Sequence, residues 1–336
     1  MHAALMRAAV MRGFGATSQV SPGELPKPQC RPDDLLVRVI AAGVNPTDWK
    51  EIEGNLTSFY PPYAPEWAPG FDAAGIVERV GERVHDFAPG DRVMLLSDRR
   101  EGQCGTFAEY VRVDRKLAAK APSSIGLAEA ASIPIAGLTA YQGLFREDMG
   151  ALKKGQSLLI QGGSGGIGSF AIGFAKAAGA AVAATCREVN GAYLRSLGAD
   201  ATSDYTQGDT LGAVRRWAPG GVDLVLDAAT GGTQPELLDA LAPGGRMVVV
   251  ATVTHDGDIA ALHKRAEREQ RSVHFLLLDI ATVAADLAAI ARVIDGAKMR
   301  LPAITRYPLD RARDALASMQ AGGVRGKLVI DVGDRG

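Results

Sequence analysis

Cysteine is scarce in this chain: three residues, Cys30, Cys104 and Cys186, in 336. They stand far apart and form no Cys-x-x-Cys pair, so neither a disulfide framework nor a zinc knuckle is expected, and the expected compartment is reducing and cytoplasmic. Long apolar runs are missing too. Met1–Gly15 is interrupted by Arg7 and Arg12, unlike the apolar core of a secretory signal. Ser169–Cys186 is interrupted by Lys176 and reads as a buried helix followed by a strand, not as a membrane span. Neither sign of charge is in excess. The 37 Lys and Arg are matched by 38 Asp and Glu, scattered without a basic run, so the stripe that nucleic acid or an anionic membrane surface would require is absent. No fixed-period repeat and no low-complexity segment is visible.

What is present is an ordinary globular composition, 47% apolar and 22% charged, at a length that suits two domains. The first third carries short β-type runs at Leu35–Ile40, Ala73–Val80, Asp91–Leu96 and Phe107–Val113, separated by Pro and Gly clusters. They predict a compact, mostly antiparallel β domain. From about Ala128 the texture changes. A helix over Leu127–Phe145 leads into strands at Ser157–Gln161, Val182–Thr185, Val222–Asp227, Arg246–Ala251 and Val273–Leu278, with helices between them running to Leu197 and to Leu241. Alternation of this kind predicts right-handed βαβ units and a parallel sheet covered on both faces. The tail reverts to a helix over Leu309–Met319 and a strand over Gly326–Val332 that can join the first domain. The expected class is α/β: a doubly wound Rossmann sheet over residues 122–285, beside a β-rich domain built from residues 1–121 and 286–336.

One motif carries chemistry on its own. Gly163-Ser164-Gly165-Gly166-Ile167-Gly168 follows a predicted strand directly and opens a helix of small and apolar residues. In a Gly-x-Gly-x-x-Gly fingerprint the first glycine allows a tight turn, the second lets backbone approach a pyrophosphate, and the third lets the helix pack on the sheet. The helix N-terminus adds free N–H groups and partial positive charge. The plain alternative is a glycine turn of structural use only. At the end of the second strand an NAD site would place an acid; this chain has Thr185-Cys186-Arg187. An acid repels a 2′-phosphate, whereas the planar fork of Arg187 can pair with one, so NADPH is the expected cofactor. The alternative leaves Arg187 solvated and gives the acid's part to Glu188.

Across nearly its whole length the chain resembles the medium-chain dehydrogenase/reductases. The resemblance rests on Gly43-Val44-Asn45-Pro46-Thr47-Asp48-Trp49-Lys50, Pro69–Gly75, Gly81 through Pro89–Val93, Ala136–Tyr141 and Leu197–Asp200, in the right order and at suitable distances. It implies a chaperonin-10-like (GroES-like) catalytic domain, a Rossmann domain and an active site in the cleft between them. Zinc-dependent members ligate their metal through Cys, His and usually a second Cys, and the matching positions here are Asn45, Phe71 and Ala136. Asp72 and Cys104 are potential ligands in principle, but without a histidine they make a poor set, and no metal is expected. The zinc-free branch contains quinone oxidoreductases, double-bond reductases and trans-acting enoyl reductases, and Asn45–Lys50 looks closest to the last group and to quinone oxidoreductase-like relatives.

The resemblance also nominates residues. Asn45 is implied near the nicotinamide, or else caps the turn before Pro46. Thr139 is implied at the cofactor's carboxamide or the substrate carbonyl, or else is a helix-interior threonine bonding its own backbone. Lys50 is a candidate to stabilise an enolate, with a solvated lysine as the alternative. Leu56 takes the place of a proton-donating tyrosine, and Tyr60 and Tyr63 are nearby substitutes; water is another source. Tyr205 matches a contact to the 2′-phosphate or adenine, against a surface tyrosine. Arg325 and Lys327 resemble a basic pair closing over the cofactor, though a surface role is favoured here. The apolar run Val273–Leu278 matches a strand that continues the sheet across a two-fold axis, so a homodimer is expected. The Gly54–Pro69 loop, with Phe59, Tyr60, Tyr63 and Trp67, is expected to line an apolar pocket. Together these readings predict NADPH-dependent reduction of a conjugated carbon–carbon double bond in an apolar small molecule. The rivals are a cofactor-binding scaffold or redox sensor without turnover and a zinc alcohol dehydrogenase.

Overall fold

Small and branched apolar residues fill Asp34–Val44 so completely that only Arg38 is exposed, and the strand they form becomes the spine of the first of two units. The computed structural model describes residues 4–58, 64–97, 105–229, 235–250, 259–297 and 299–333. The chain begins β1 (Leu5–Arg12), β2 (Ser21–Pro26), β3 (Asp34–Val44), α1 (Pro46–Ile52), β4 (Glu66–Trp67), β5 (Asp72–Val80), β6 (Arg92–Leu96), β7 (Tyr110–Asp114), β8 (Ala118–Lys120), α2 (Leu127–Ala131) and α3 (Pro134–Phe145). It continues β9 (Ser157–Gln161), α4 (Gly166–Ala177), β10 (Ala181–Cys186), α5 (Gly191–Leu197), β11 (Ala201–Asp204), α6 (Thr210–Trp217), β12 (Val222–Asp227), β13 (Leu241–Val250), α7 (Ile259–Arg268) and β14 (Ser272–Leu276). It closes with α8 (Val283–Ala297), β15 (Ile304–Pro308), α9 (Ala312–Ala321) and β16 (Lys327–Asp331).

The first unit comprises residues 1–136, 280–295 and 303–336. Its main sheet runs β15-β16-β3-β5-β6-β8, with β7 also on β3, and every pairing except β15 with β16 is antiparallel. A smaller sheet, β2-β1-β4, completes the unit. The expected strand over Phe107–Val113 is shorter, because Phe107 and Ala108 leave β7 to bond β1. The final strand does join this domain: Leu328–Asp331 pairs antiparallel with Ala41–Val44.

The single helix expected over Leu127–Phe145 is two. Pro134 disfavours helical backbone in the residue before it and is at home as the first residue of α3. α2 packs on β3, β5 and β6. The boundary therefore falls within α3, after Ala136, not at residue 121. Residues 280–285 likewise belong to the first unit and residues 296–302 to the second. Met299 anchors that last segment against Gly173, where a Cβ would lie 2.8 Å from the methionine Cγ.

In the second unit, residues 137–279 and 296–302, the described strands form one parallel sheet in the order β11-β10-β9-β12-β13-β14. Leu158, Leu159, Ile160, Val225, Leu226 and Val248 are fully buried in it. Phe170 and Phe174 of α4 stack with centroids 5.9 Å apart. Strand order reverses between β9 and β12, whose C-terminal residues Gln161 and Asp227 lie side by side. That switch point is where a doubly wound sheet takes its ligand. The helix expected to run to Leu241 is instead a 3-10 segment, Pro235–Ala240, with residues 230–234 outside the described ones. No helix among the described residues is long and apolar enough to cross a membrane.

Candidate active site

The glycine loop departs from the expected division of labour. The tight turn belongs to Gly162, whose φ of +79° is left-handed. Gly163 serves packing: a Cβ there would sit 2.8 Å from the Ala184 methyl and 2.9 Å from Leu194. Gly168 lets α4 close on the loop, since its Cβ would meet Gly162 O at 2.4 Å. Gly165, the N-cap of α4, faces space, with its nearest neighbour 3.6 Å from a would-be Cβ. Fully buried Thr185 braces the loop, accepting from Gly162 N–H at 3.1 Å and donating to Gln161 Oε1 at 2.7 Å. The first intrahelical bond runs from Ser169 N–H to Gly165 O. The N–H groups of Gly166, Ile167 and Gly168 therefore precede the helical ladder and remain as donors beside the open side of Gly165, with Ser164 leading in. Space, donors and helix dipole coincide, and a pyrophosphate fits this cradle.

At the end of β10, Arg187 and Tyr205 meet, although 18 residues separate them. Parallel pairing sets Cys186 beside Asp204, and the residue following each strand then comes together. Arg187 Nε donates to the Tyr205 hydroxyl at 3.1 Å, and both side chains are exposed. Glu188, the alternative acid, is also exposed.

The first unit holds a buried polar centre that motif reading only half anticipated. Asn45, 2% exposed, is the N-cap of α1, and its own N–H donates to Asp48 Oδ2 at 2.6 Å. Its side chain does not stand free. Nδ2 donates to Asp72 Oδ2 at 2.8 Å, and Oδ1 accepts from Lys327 Nζ. Lys327 also donates to Val44 O at 3.0 Å and lies 3.8 Å from Asp72 Oδ2. Asp72 Oδ1 accepts from Ile135 N–H, a first-turn donor of α3, at 3.0 Å. Lys327 is thus not the surface lysine expected from its sequence position; it is 3% exposed and pairs with Asp72, far away in the chain.

Burial governs the charges here. It lifts Asp72 from 3.8 to about 6, against the pull of Lys327 and of the Asn45 hydrogen bond. Burial also holds Asp48 well above the ordinary carboxylate range, with Asp72 and buried Glu51 adding repulsion. The same desolvation lowers Lys327, opposed by Asp72 and Asp48. The Thr47 hydroxyl, in the same motif, is buried without a hydrogen-bond partner.

The other nominated residues are dispersed. Lys50 is half-buried on α1, with Nζ 5.7 Å from the neighbouring Trp49 ring, and burial lowers its pKa. Thr139 is buried within α3. Leu56 is buried and offers no hydroxyl. Phe59, Tyr60 and Tyr63 lie outside the described residues, as does Cys104. Trp67 belongs to the loop expected to line an apolar pocket. It is fully buried, pairs with β1 and donates to Gly13 O at 3.0 Å. Arg325 is exposed on the approach to β16.

The donor set does not fit a catalytic zinc. Phe71 and Ala136 carry no ligating atom, the Asn45 amide is engaged by Asp72 and Lys327, and Asp72 is itself engaged by Asn45 and Ile135. Among the described residues no group of three His, Cys, Asp or Glu is arranged to hold a metal ion.

Comparison with known proteins yields two family models. One described as an alcohol dehydrogenase GroES-like domain matches residues 31–123, and one described as a zinc-binding dehydrogenase matches residues 197–330. The chain is 30% identical over 322 residues to the chloroplast envelope quinone oxidoreductase homolog of Arabidopsis thaliana, covering 94% of this chain and 95% of that protein. It is 36% identical over 248 residues to the NADPH-dependent alkenal/one oxidoreductase of the same plant, covering 69% of this chain and 61% of the relative. The solved structure of the quinone oxidoreductase from Coxiella burnetii aligns with a TM-score of 0.83 at 29% identity, over 98% of this chain and all (100%) of that one.

Proposed function

Because the chain belongs to the medium-chain dehydrogenase/reductase superfamily, in its quinone oxidoreductase and enoyl reductase-like branch, we propose that it reduces a conjugated carbon–carbon double bond with NADPH. Membership carries the oxidoreductase class and a nicotinamide cofactor. The choice of NADPH and of a conjugated substrate rests on residues. Arg187 and Tyr205 together offer a cation and a phenol at the end of β10, where an acid would serve NAD. The observation that carries the substrate class is the donor set around Asn45, which lacks zinc ligands.

Gly162–Gly168 would hold the pyrophosphate, and Arg187 and Tyr205 the 2′-phosphate. Bound there, the cofactor supplies a hydride to the β-carbon of an enone, quinone or α,β-unsaturated thioester. Negative charge then develops on the carbonyl oxygen as an enolate, which N–H and O–H donors can stabilise without a Lewis acid. Asn45, Lys50 and Thr139 are the candidates for that task. The α-carbon takes its proton from Tyr60, Tyr63 or water, since Leu56 has none to give. β14, an edge strand followed by exposed Leu277, is the proposed face for a second copy of the chain.

Incubation with NADPH and a panel of apolar enones, enoyl thioesters and quinones tests the reading. Cofactor oxidation with at least one class is expected. Tight NADPH binding with silence across the panel would overturn it and select the cofactor-binding scaffold instead, which the leucine at position 56 favours.

A further inference from the structure

Lys327 and Asp72 meet opposite ends of one amide. An ammonium can only donate and a carboxylate can only accept, so each tolerates a single end of Asn45. Turning the amide over would set its oxygen against Asp72 Oδ2 and its N–H groups against Lys327 Nζ. Both contacts would become repulsive, and all three side chains are buried. The clamp is itself fixed from outside, Asp72 by Ile135 N–H and Lys327 by Val44 O. Asn45's backbone is tied as well, its N–H to Asp48 Oδ2 and its carbonyl to Asp48 N–H. Of the amide's two Nδ2 hydrogens, Asp72 takes one.

We infer that Lys327 and Asp72 are positioning residues, a polarity clamp that fixes the Asn45 amide so that its second Nδ2 hydrogen is the oriented donor to the oxygen that gains charge during reduction. This rests on the reductase reading above. A buried ion pair adds little stability compared with well-packed apolar residues, whereas fixing the direction of a polar group is work that apolar residues cannot do.

The test is a double-mutant cycle on the full-length protein with Lys327→Met, Asn45→Ala and both together. Lys327→Met is expected to lower kcat ~100-fold, the loss typical of one oxyanion donor, with the NADPH Kd unchanged. In the Asn45→Ala background the same substitution should change kcat less than ~3-fold, because the two act as one unit. Multiplicative losses would overturn the clamp and leave Lys327 a structural residue. Neutron diffraction from wild-type crystals supplies a readout that needs no variant to fold. Asn45 Nδ2 deuterons facing Asp72 and a fully deuterated Lys327 ammonium are expected; the opposite amide orientation or a neutral amine would overturn the inference. A wild-type protein inactive on every substrate but with the clamp orientation intact would instead fault the reductase reading.

Discussion

Gly165 and Gly168 lie three residues apart in one loop, yet a methyl group should act on them in opposite ways. At Gly168 an added Cβ would stand 2.4 Å from Gly162 O and 2.7 Å from Gly163 Cα, both backbone atoms that cannot rotate aside. Overpacking of this kind costs about 1–3 kcal/mol, and rigid neighbours push toward the upper end. Gly168→Ala should therefore lower the thermal midpoint by several degrees and weaken NADPH binding as the loop shifts. At Gly165 the nearest atom is 3.6 Å away and the backbone is extended, with φ −75° and ψ 176°. The loss of capping, up to ~1 kcal/mol, is offset by about 0.4–1 kcal/mol from stiffening the unfolded chain. Stability should hardly change. The same methyl, however, would occupy the space assigned to the pyrophosphate, and the NADPH Kd should rise at least ~10-fold, about 1.4 kcal/mol. Differential scanning fluorimetry and titration of NADPH fluorescence measure the two effects independently. A Gly165→Ala protein that binds NADPH as tightly as wild type would refute the placement of the cofactor.

Three further outcomes follow from other parts of the structure. Arg187→Ala should weaken NADPH roughly tenfold, consistent with an exposed charge-assisted contact, and leave NADH unchanged; equal losses for both cofactors would deny Arg187 the 2′-phosphate. Leu277 is 68% exposed beyond the edge strand β14, so light scattering should report a dimer for wild type and a monomer for Leu277→Asp, and a monomeric wild type would contradict the interface. Asp295 accepts from the backbone and hydroxyls of Ser123 and Ser124, which hold its pKa near 2 against an ordinary 3.8. A depressed carboxylate contributes stability above its unfolded value and loses it as pH falls toward the folded one. The urea midpoints of wild type and Asp295→Ala should therefore differ fully at pH 7 and converge below about pH 4; a gap that stays constant to pH 3 would disprove the role.

Apolar strands bounded by turn residues were legible to the residue: Ser157–Gln161 and Val222–Asp227 both form as read. Edge strands were not. Ala201–Asp204 and Ile304–Pro308 are half-exposed at sheet margins, so no buried face imposes an apolar pattern on them. The turn glycine was misassigned because Gly162 and Gly163 are adjacent, and only backbone geometry says which of them is left-handed. The buried centre was the larger omission. Lys327 precedes Leu-Val-Ile at a strand start, where a lysine reads as solvated, and the acid that meets it is at position 72. One signal was available. Asp72 is the single acid in Pro69-Gly70-Phe71-Asp72-Ala73-Ala74-Gly75, an otherwise small or apolar segment, and an acid buried there needs polar partners from elsewhere in the chain.

The central claim is that hydride goes to carbon in conjugation with the carbonyl. Reduction of an enone with NADPH deuterated on the transferred face of C4, followed by NMR of the product, tests it most directly. Deuterium at the β-carbon of a saturated ketone is the predicted result; deuterium on a carbinol carbon, with the double bond intact, would contradict it.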